Sequence, residues 1–456
     1  MIYYKKEREA ASVSEIILQT GCGPVRGRQE QGYRIFRGIP YAITERFTMP
    51  RAVPAWTEVL DATGPETDCW QYSSFNDESR DDNPFYYQEF RPGRDFHYAE
   101  SPMTLNIITP EHPENCPVLV FIHGGGHETG TVGELPYGTS TEYARRGIIL
   151  VSVGYRLNVL HLYRSRNYGL HDQVFALRWV RDHIGDFGGD AGRITMMGQS
   201  AGAMSVMDLC YSDALKGIVQ GAVMMSGGGL VPSFTKGWTP EESREFWDNV
   251  ERRAGVSGEE ELKKVPIETL WRAWYAESRE NWSYAAVQPG IDGVIIPELP
   301  QKRQRQGKIL DIPMILGITS QDFMPYIIYE MAYSFALWSA GRKRSPVYGY
   351  LFDRTPPGNL YKAYHACDLW YMFGNMEQNW RPWEEADFRL KDQMIDYVAN
   401  FVRSGDPNGA GLPAWPAVGV WQRGFRHFDG VSDGLASPGY CRRKMRLTTL
   451  KDKGPM

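Results

Sequence analysis

Residues 194–202 read as a short apolar strand, the turn Gly198-Gln199-Ser200-Ala201-Gly202, and the first turn of a helix. A strand that reverses into a helix through so few residues has no room for large side chains at Gly198 and Gly202. It also lifts the Ser200 hydroxyl above the carboxyl edge of a sheet, with a helix N-terminus behind it. Such a turn fits a mostly parallel sheet with helices packed on its faces, which alternating strands and helices along the chain would signal.

The rest of the chain can supply that sheet. Apolar or β-branched runs at 118–122, 148–153, 222–225, 313–318 and 347–352 are predicted strands. Helix-length amphipathic segments are predicted at 170–184 and onward from Ala201, and Leu390, Met394, Val398 and Phe401 fall at helical spacing before the breaker Gly405-Asp406-Pro407-Asn408. No repeat, low-complexity tract or linker divides the chain, so residues 1–456 are expected to form one domain. Two cap-like or lid-like excursions are expected, at about 71–99 and 323–345. The first is rich in acids and aromatics (Asp77, Asp81, Asp82, Phe85, Tyr86, Tyr87, Phe90, Phe96) and reads equally well as a surface loop or as a pocket wall.

Charge and cysteine usage exclude several classes of function. Fifty Lys and Arg against 55 Asp and Glu leave a net charge of −5, which provides no basic field for nucleic acid. Every apolar run is far shorter than the roughly 18–20 residues that span a bilayer. No secretory leader is recognisable, and the six cysteines lack CxxC or Cys/His spacing. Free thiols, a cytoplasmic location, no metal and no organic cofactor are the expectations; oligomeric state is unreadable.

His123-Gly124-Gly125-Gly126 directly follows the 118–122 strand. Glycines let backbone N–H groups approach a substrate oxygen, and the amide after Ser200, from Ala201, adds a further donor. His123 itself reads as an anchor of that loop. A serine hydroxyl needs a histidine base and a carboxylate to orient it. Downstream of Ser200 lie only His365, in a loop after the 347–352 strand, and His427, on a strand-like edge that suits a structural histidine. Asp322, just past the 313–318 strand, is the best-placed acid; Asp353 is the alternative, and Asp311 lies at the wrong end of the strand.

These motifs resemble the type-B carboxylesterases, the α/β-hydrolase family that includes cholinesterases and p-nitrobenzyl esterases. The likeness extends through Phe36-Arg37-Gly38-Ile39-Pro40-Tyr41-Ala42, Asn167-Tyr168-Gly169-Leu170, Phe187-Gly188-Gly189-Asp190 and Ile291-Asp292-Gly293. It implies a large central, mostly parallel mixed sheet flanked by helices, a small N-terminal antiparallel β region and a shortened helical cap. It implies hydrolysis of a small-molecule carboxylic ester through an acyl-enzyme, by a cytoplasmic, bacterial enzyme. The catalytic residues would be Ser200, Asp322 and His365, and the oxyanion donors Gly125, Gly126 and Ala201. Asp322 stands in Gly317-Ile318-Thr319-Ser320-Gln321-Asp322, where most members carry Glu, and His365 precedes Asp368-Leu369-Trp370-Tyr371-Met372-Phe373-Gly374. Gln199 replaces the usual Glu beside the nucleophile, Ser226 matches a second serine behind it, and His127 replaces an aromatic that walls the pocket; all three are candidate substrate-binding residues. Glu100, Arg46 and Arg156 match a structural ion-pair cluster, and Cys69 lacks the partner found in secreted members. Amide, carbamate or thioester hydrolysis on the same site, or a non-catalytic adhesion or binding protein on the same fold, are the alternatives.

Overall fold

The structure, a computed structural model, describes residues 13–71, 84–229, 240–282, 288–358 and 361–451. Its frame is a 13-stranded mixed sheet. Three antiparallel strands open it, β1 (Ser14–Thr20), β2 (Gly23–Glu30) and β3 (Tyr33–Pro40), and β4 (Thr104–Pro110) continues the antiparallel edge. The central strands β5 (Cys116–Ile122), β6 (Ile149–Val153), β7 (Gly189–Gln199), β8 (Gly221–Met225), β9 (Met314–Thr319), β10 (Val347–Phe352) and β11 (Phe425–Phe428) pair in parallel. The order across the sheet is β1-β2-β3-β4-β6-β5-β7-β8-β9-β10-β11, closed by the antiparallel β12 (Leu435–Ala436), and the thirteenth strand, Leu60–Asp61, pairs with β2 off this path.

The sequence signal of the central strands has a simple cause. Every residue of β5, β6, β8, β9 and β10 is buried, so both faces must be apolar and the strands read as unbroken hydrophobic runs. The predicted strand at 194–197 proves longer, starting at Gly189, with a register break against β5 between Gly189 and Ile194. Helix α2 (Tyr168–His183) buries Leu170, Val174, Leu177 and Val180 on one face and is followed by a short 3₁₀ turn that ends at Gly188, φ 79°. Helix α3 (Ala201–Cys210) starts at the sharp turn and is almost wholly buried.

The two predicted excursions have different fates. Asp77, Asp81 and Asp82 fall outside the described residues, but the end of the first excursion contains helix α1 (Pro84–Phe90), which packs Phe85 edge-on against Tyr361 and Tyr364. The interval 323–345 is largely one regular helix, α4 (Pro325–Gly341), with Tyr329, Tyr333 and Phe335 buried in the core. Helix α5 (Glu385–Ser404) carries the predicted Leu390, Met394, Val398 and Phe401 stripe inward and ends at Gly405. Helix α6 (Pro438–Lys451) packs on α4. Among the described residues no helix is long and apolar enough to cross a membrane.

The ion pairs correct one expectation. Arg46 binds Glu100 at 2.8 Å, but Arg156 turns away and holds Asp172 through two hydrogen bonds of 2.7 and 2.8 Å, all in the interior. The expected three-member cluster is two separate pairs, because Asp172 on α2 lies closer to the Arg156 guanidinium. All six cysteines are free, and Cys69 Sγ accepts the Leu157 N–H instead of pairing.

Asp353 and His427, the alternative acid and base, pair with each other at 3.3 Å. Asp353 also accepts from Ser320 Oγ (2.6 Å) and Tyr440 Oη (3.1 Å) and lies 2.9 Å from Lys444 Nζ, so it ties β10 to α6. Burial would raise its pKa, but the hydrogen bonds from His427, Ser320 and Lys444 bring it down to about 2. A folded-state pKa below the unfolded value adds stability that is complete above the unfolded pKa, near 4, and vanishes as pH falls through the folded one. Asp353→Asn is therefore expected to cost on the order of 2 kcal/mol at pH 7. In urea titrations the gap to wild type should narrow as pH falls below about 4; a gap independent of pH would refute the assignment.

Candidate active site

Strand β7 ends at Gln199 and α3 begins at Ala201, so Ser200 alone makes the turn, at φ 54° and ψ −124°. Such a backbone costs about 1–3 kcal/mol for a non-glycine residue and persists only where its surroundings fix it. Here the Ser200 N–H donates to Met225 O at 2.8 Å, and Ser200 O accepts the Met204 N–H at 3.0 Å. A Cβ at Gly202 would stand 2.1 Å from Ile122 O, so only glycine lets the start of α3 press on the end of β5. That contact sets the 123–126 loop beside the serine.

Within the loop, Gly125 has φ 102° and a Cβ there would meet Thr129 O at 2.1 Å. Among the described residues no acceptor takes the N–H of Gly125 or Gly126. The Ala201 N–H lies in the first turn of α3, where helical geometry offers no partner. His123 anchors the loop, as expected. Its Nδ1–H donates to Gly124 O at 2.9 Å, its ring stacks on Tyr155, and burial lowers its pKa to about 4, so it stays neutral.

The candidate acid and base follow the carboxyl ends of β9 and β10. Beyond these strands the ladder continues in a bridge between Gln321 and Tyr364, with the Gln321 N–H donating to Ala363 O at 3.0 Å. This brings the neighbouring Asp322 and His365 side by side, 2.7 Å apart from Oδ1 to Nδ1, both buried. A carboxylate can only accept, so the hydrogen sits on Nδ1 and, in the neutral ring, Nε2 carries the lone pair. Asp322 Oδ1 also accepts the Phe323 N–H (2.9 Å) and Oδ2 the Thr319 hydroxyl (3.0 Å). Burial pushes the Asp322 carboxyl up, but the charge and hydrogen bond of His365, with Thr319 and the nearby Ser226, bring it below the usual carboxylate range. Ser226 Oγ contributes from outside hydrogen-bond geometry with any described residue.

Ser200 and His365 face one cavity of about 590 Å³, whose wall includes Gly125, Gly126, Gln199 and Ser226. No hydrogen bond joins Ser200 Oγ to His365 among the described residues; Gln199 Nε2 lies 3.2 Å from His365 Nε2 instead. His127, expected in the pocket wall, does not line the cavity: it is fully buried beneath the loop, with Nε2 3.0 Å from Ala201 O. Its backbone lies in the left-handed region, at φ 62°.

Tyr86 and Phe90 of α1 wall one side of the cavity, in line with the pocket-wall reading of the first excursion, and Ile328 and Met331 of α4 wall another. The group that ties α1 in place carried no readable signal. Glu89 holds α1 to the histidine loop: its carboxylate accepts from Tyr364 Oη (2.6 Å), Trp380 Nε1 (3.2 Å) and both Nε and Nη2 of Arg381 (3.1 and 2.6 Å). Glu89 and Arg381 are 292 positions apart, and no periodicity links them. Thr319 was visible three positions before Asp322, though only its hydrogen bond shows its use.

A mixed sheet with a parallel centre, and a strained serine between strand and helix facing a buried aspartate–histidine pair, defines an α/β hydrolase. The carboxylesterase family model matches residues 14–338 and 326–429. The chain belongs to that family and is a carboxylic ester hydrolase. It is 29% identical to the para-nitrobenzyl esterase of Bacillus subtilis (strain 168), over 88% of this chain and 92% of that one. It is 28% identical to the cocaine esterase of Homo sapiens, over 84% and 82%. A solved thermophilic PNB esterase superposes with a TM-score of 0.81 at 26% identity, covering 95% of this chain and all of the other.

Proposed function

We propose that this esterase cleaves its substrate through an acyl-enzyme, with Ser200 as nucleophile, His365 as general base and acid, and Asp322 as the group that orients and charges the base. The observation that carries the reading is the buried 2.7 Å contact between His365 and Asp322, on the wall of the cavity that also holds Ser200. Residues 1–456 act as a single hydrolase domain, and Gln199 and Ser226 contact the substrate from the cavity wall.

Ser200 Oγ attacks the carbonyl carbon as its proton passes to His365 Nε2, and the π electrons of the carbonyl move onto its oxygen. The N–H groups of Gly125, Gly126 and Ala201 receive that oxyanion, each typically worth about 2.7–4 kcal/mol. The tetrahedral species then collapses, breaking the bond to the alcohol oxygen, which leaves with the proton from His365. Water repeats the two steps, giving its proton to His365 and releasing the acid from Ser200. Asp322 keeps the hydrogen on Nδ1 and stabilises the imidazolium without taking a proton itself.

The first step requires the Gln199 amide to yield Nε2 to the Ser200 hydroxyl, and catalytic hydrogen bonds commonly tighten only once substrate is bound. A carboxylate at this position would favour the imidazolium. Gln199→Glu is therefore expected to move the acid limb of the kcat/KM profile up by about one pH unit; an unmoved limb would place residue 199 outside the proton transfer.

Labelling tests the reading directly. A fluorophosphonate probe should add one phosphonyl group per folded molecule, located by peptide mass spectrometry at Ser200. Modification elsewhere, or none, would overturn it.

A further inference from the structure

The proposed oxyanion donors come from two separate pieces of chain, Gly125 and Gly126 from the loop after β5 and Ala201 from the start of α3. Their value depends on relative placement, because a displacement near 1 Å can cost about a hundredfold in rate. His127 bridges the two pieces. Its Nε2 lies 3.0 Å from Ala201 O and 3.1 Å from Ser205 Oγ. A carbonyl oxygen can only accept, so Nε2 carries the hydrogen and donates it. The backbone of His127 is tied as well, its carbonyl accepting the Asn158 N–H at 2.6 Å.

The ring is held flat from beneath. It stacks on His161 with centroids 4.6 Å apart and planes 11° apart. Nδ1 of His161 donates to Arg156 O at 3.1 Å, and burial with the neighbouring His127 keeps His161 well below the usual histidine pKa, so the lower ring is neutral. Ser205 Oγ is fixed in turn by Gln173 Nε2 at 3.2 Å. His127 itself has φ 62°, a strained backbone that is retained because both its ends are over-determined.

We propose that His127 is a positioning residue: its Nε2–H bond to Ala201 O sets the loop amides of Gly125 and Gly126 at the correct distance from the Ala201 amide. It touches no substrate, since it is fully buried and borders no part of the cavity. The inference rests on the acyl-enzyme reading above.

The test uses the full chain and three variants. His127→Phe keeps a ring to stack but loses the donor, His127→Gln returns an N–H near the position of Nε2, and His127→Asn carries a donor too short to reach. For each, kcat and KM on p-nitrophenyl butyrate are measured well below the melting temperature and counted per site titrated by a fluorophosphonate. The inhibition constant of a trifluoromethyl ketone, which forms a hemiketal oxyanion on the serine, is measured alongside. His127→Phe is expected to lose about 10- to 100-fold in kcat with KM within about threefold, and the ketone to bind weaker by the same factor. His127→Gln should recover most of the loss, and His127→Asn should not.

Phe and Asn variants within about threefold of wild-type kcat per titrated site would overturn the proposal. So would a loss in kcat with unchanged ketone binding, or a Gln variant no better than Asn. If His127→Phe does not fold, the Gln–Asn pair decides by the same criteria. Failure of the wild type to titrate at Ser200 would refute the underlying acyl-enzyme reading instead, a result distinct from all of these.

Discussion

Ser200→Ala is expected to lower kcat on an activated aryl ester by about 10⁶-fold while leaving the fold intact. The hydroxyl is the only part of the residue removed. The turn at φ 54° and ψ −124° strains alanine as much as serine, and its backbone bonds to Met225 and Met204 do not involve the side chain. The melting temperature should therefore stay within a few degrees. KM should change little, because the cavity walls from α1 and α4 remain. The loop amides and the Ala201 amide also remain, so a residual rate above the uncatalysed one by about 10³–10⁴ is expected from them and from binding. The measurement is kcat per folded molecule, with the concentration taken from a refolding-competent fraction and not from phosphonate titration, which the variant cannot undergo. A variant that keeps a substantial part of the wild-type rate would mean that another nucleophile is at work.

Asp322→Ala should cost about 10⁴-fold in kcat. In the proposed mechanism the aspartate does two things: its Oδ1, 2.7 Å from His365 Nδ1, fixes the hydrogen there, and its charge stabilises the imidazolium. Alanine removes both and leaves the Phe323 N–H and the Thr319 hydroxyl without their acceptor. Asp322→Asn separates the two effects. An asparagine oxygen in the Oδ1 position still accepts from His365 and Phe323, while its amide can donate to Thr319 Oγ1, which accepts as readily as it donates. The tautomer survives and only the charge is lost, so Asn should lie well above Ala in kcat. Equal losses would show that charge, not orientation, is what His365 needs. Neither variant should affect phosphonyl labelling as strongly as loss of Ser200.

Much of this was legible in the chain. Central strands buried on both faces write themselves as apolar runs, so β5, β9 and β10 were located within a residue or two. The elbow glycines and the Gly124-Gly125-Gly126 loop announced themselves because close contacts that a Cβ would block, or at Gly126 a φ of 68°, favour only glycine. His365 and Asp322 were readable as strand-end residues, and the competing pair Asp353 and His427 could be ranked below them by position, although their shared role in holding α6 could not be foreseen.

His127 and Arg156 show where such reading stops. Both were assigned by analogy of position, and both point elsewhere: His127 beneath the loop toward Ala201, Arg156 toward Asp172. The reach of a side chain depends on its own φ and χ angles and on which partner is nearer in space, and neither is encoded within a few residues. The Glu89 hub and the Gln199 contact to His365 are of the same kind. What the sequence determined by itself was what is local: strand, turn and glycine, each dictated by periodicity or by the absence of a Cβ. Only the tertiary structure decided which polar groups meet, because a buried donor takes whichever acceptor the packed sheet and its helices bring within about 3 Å.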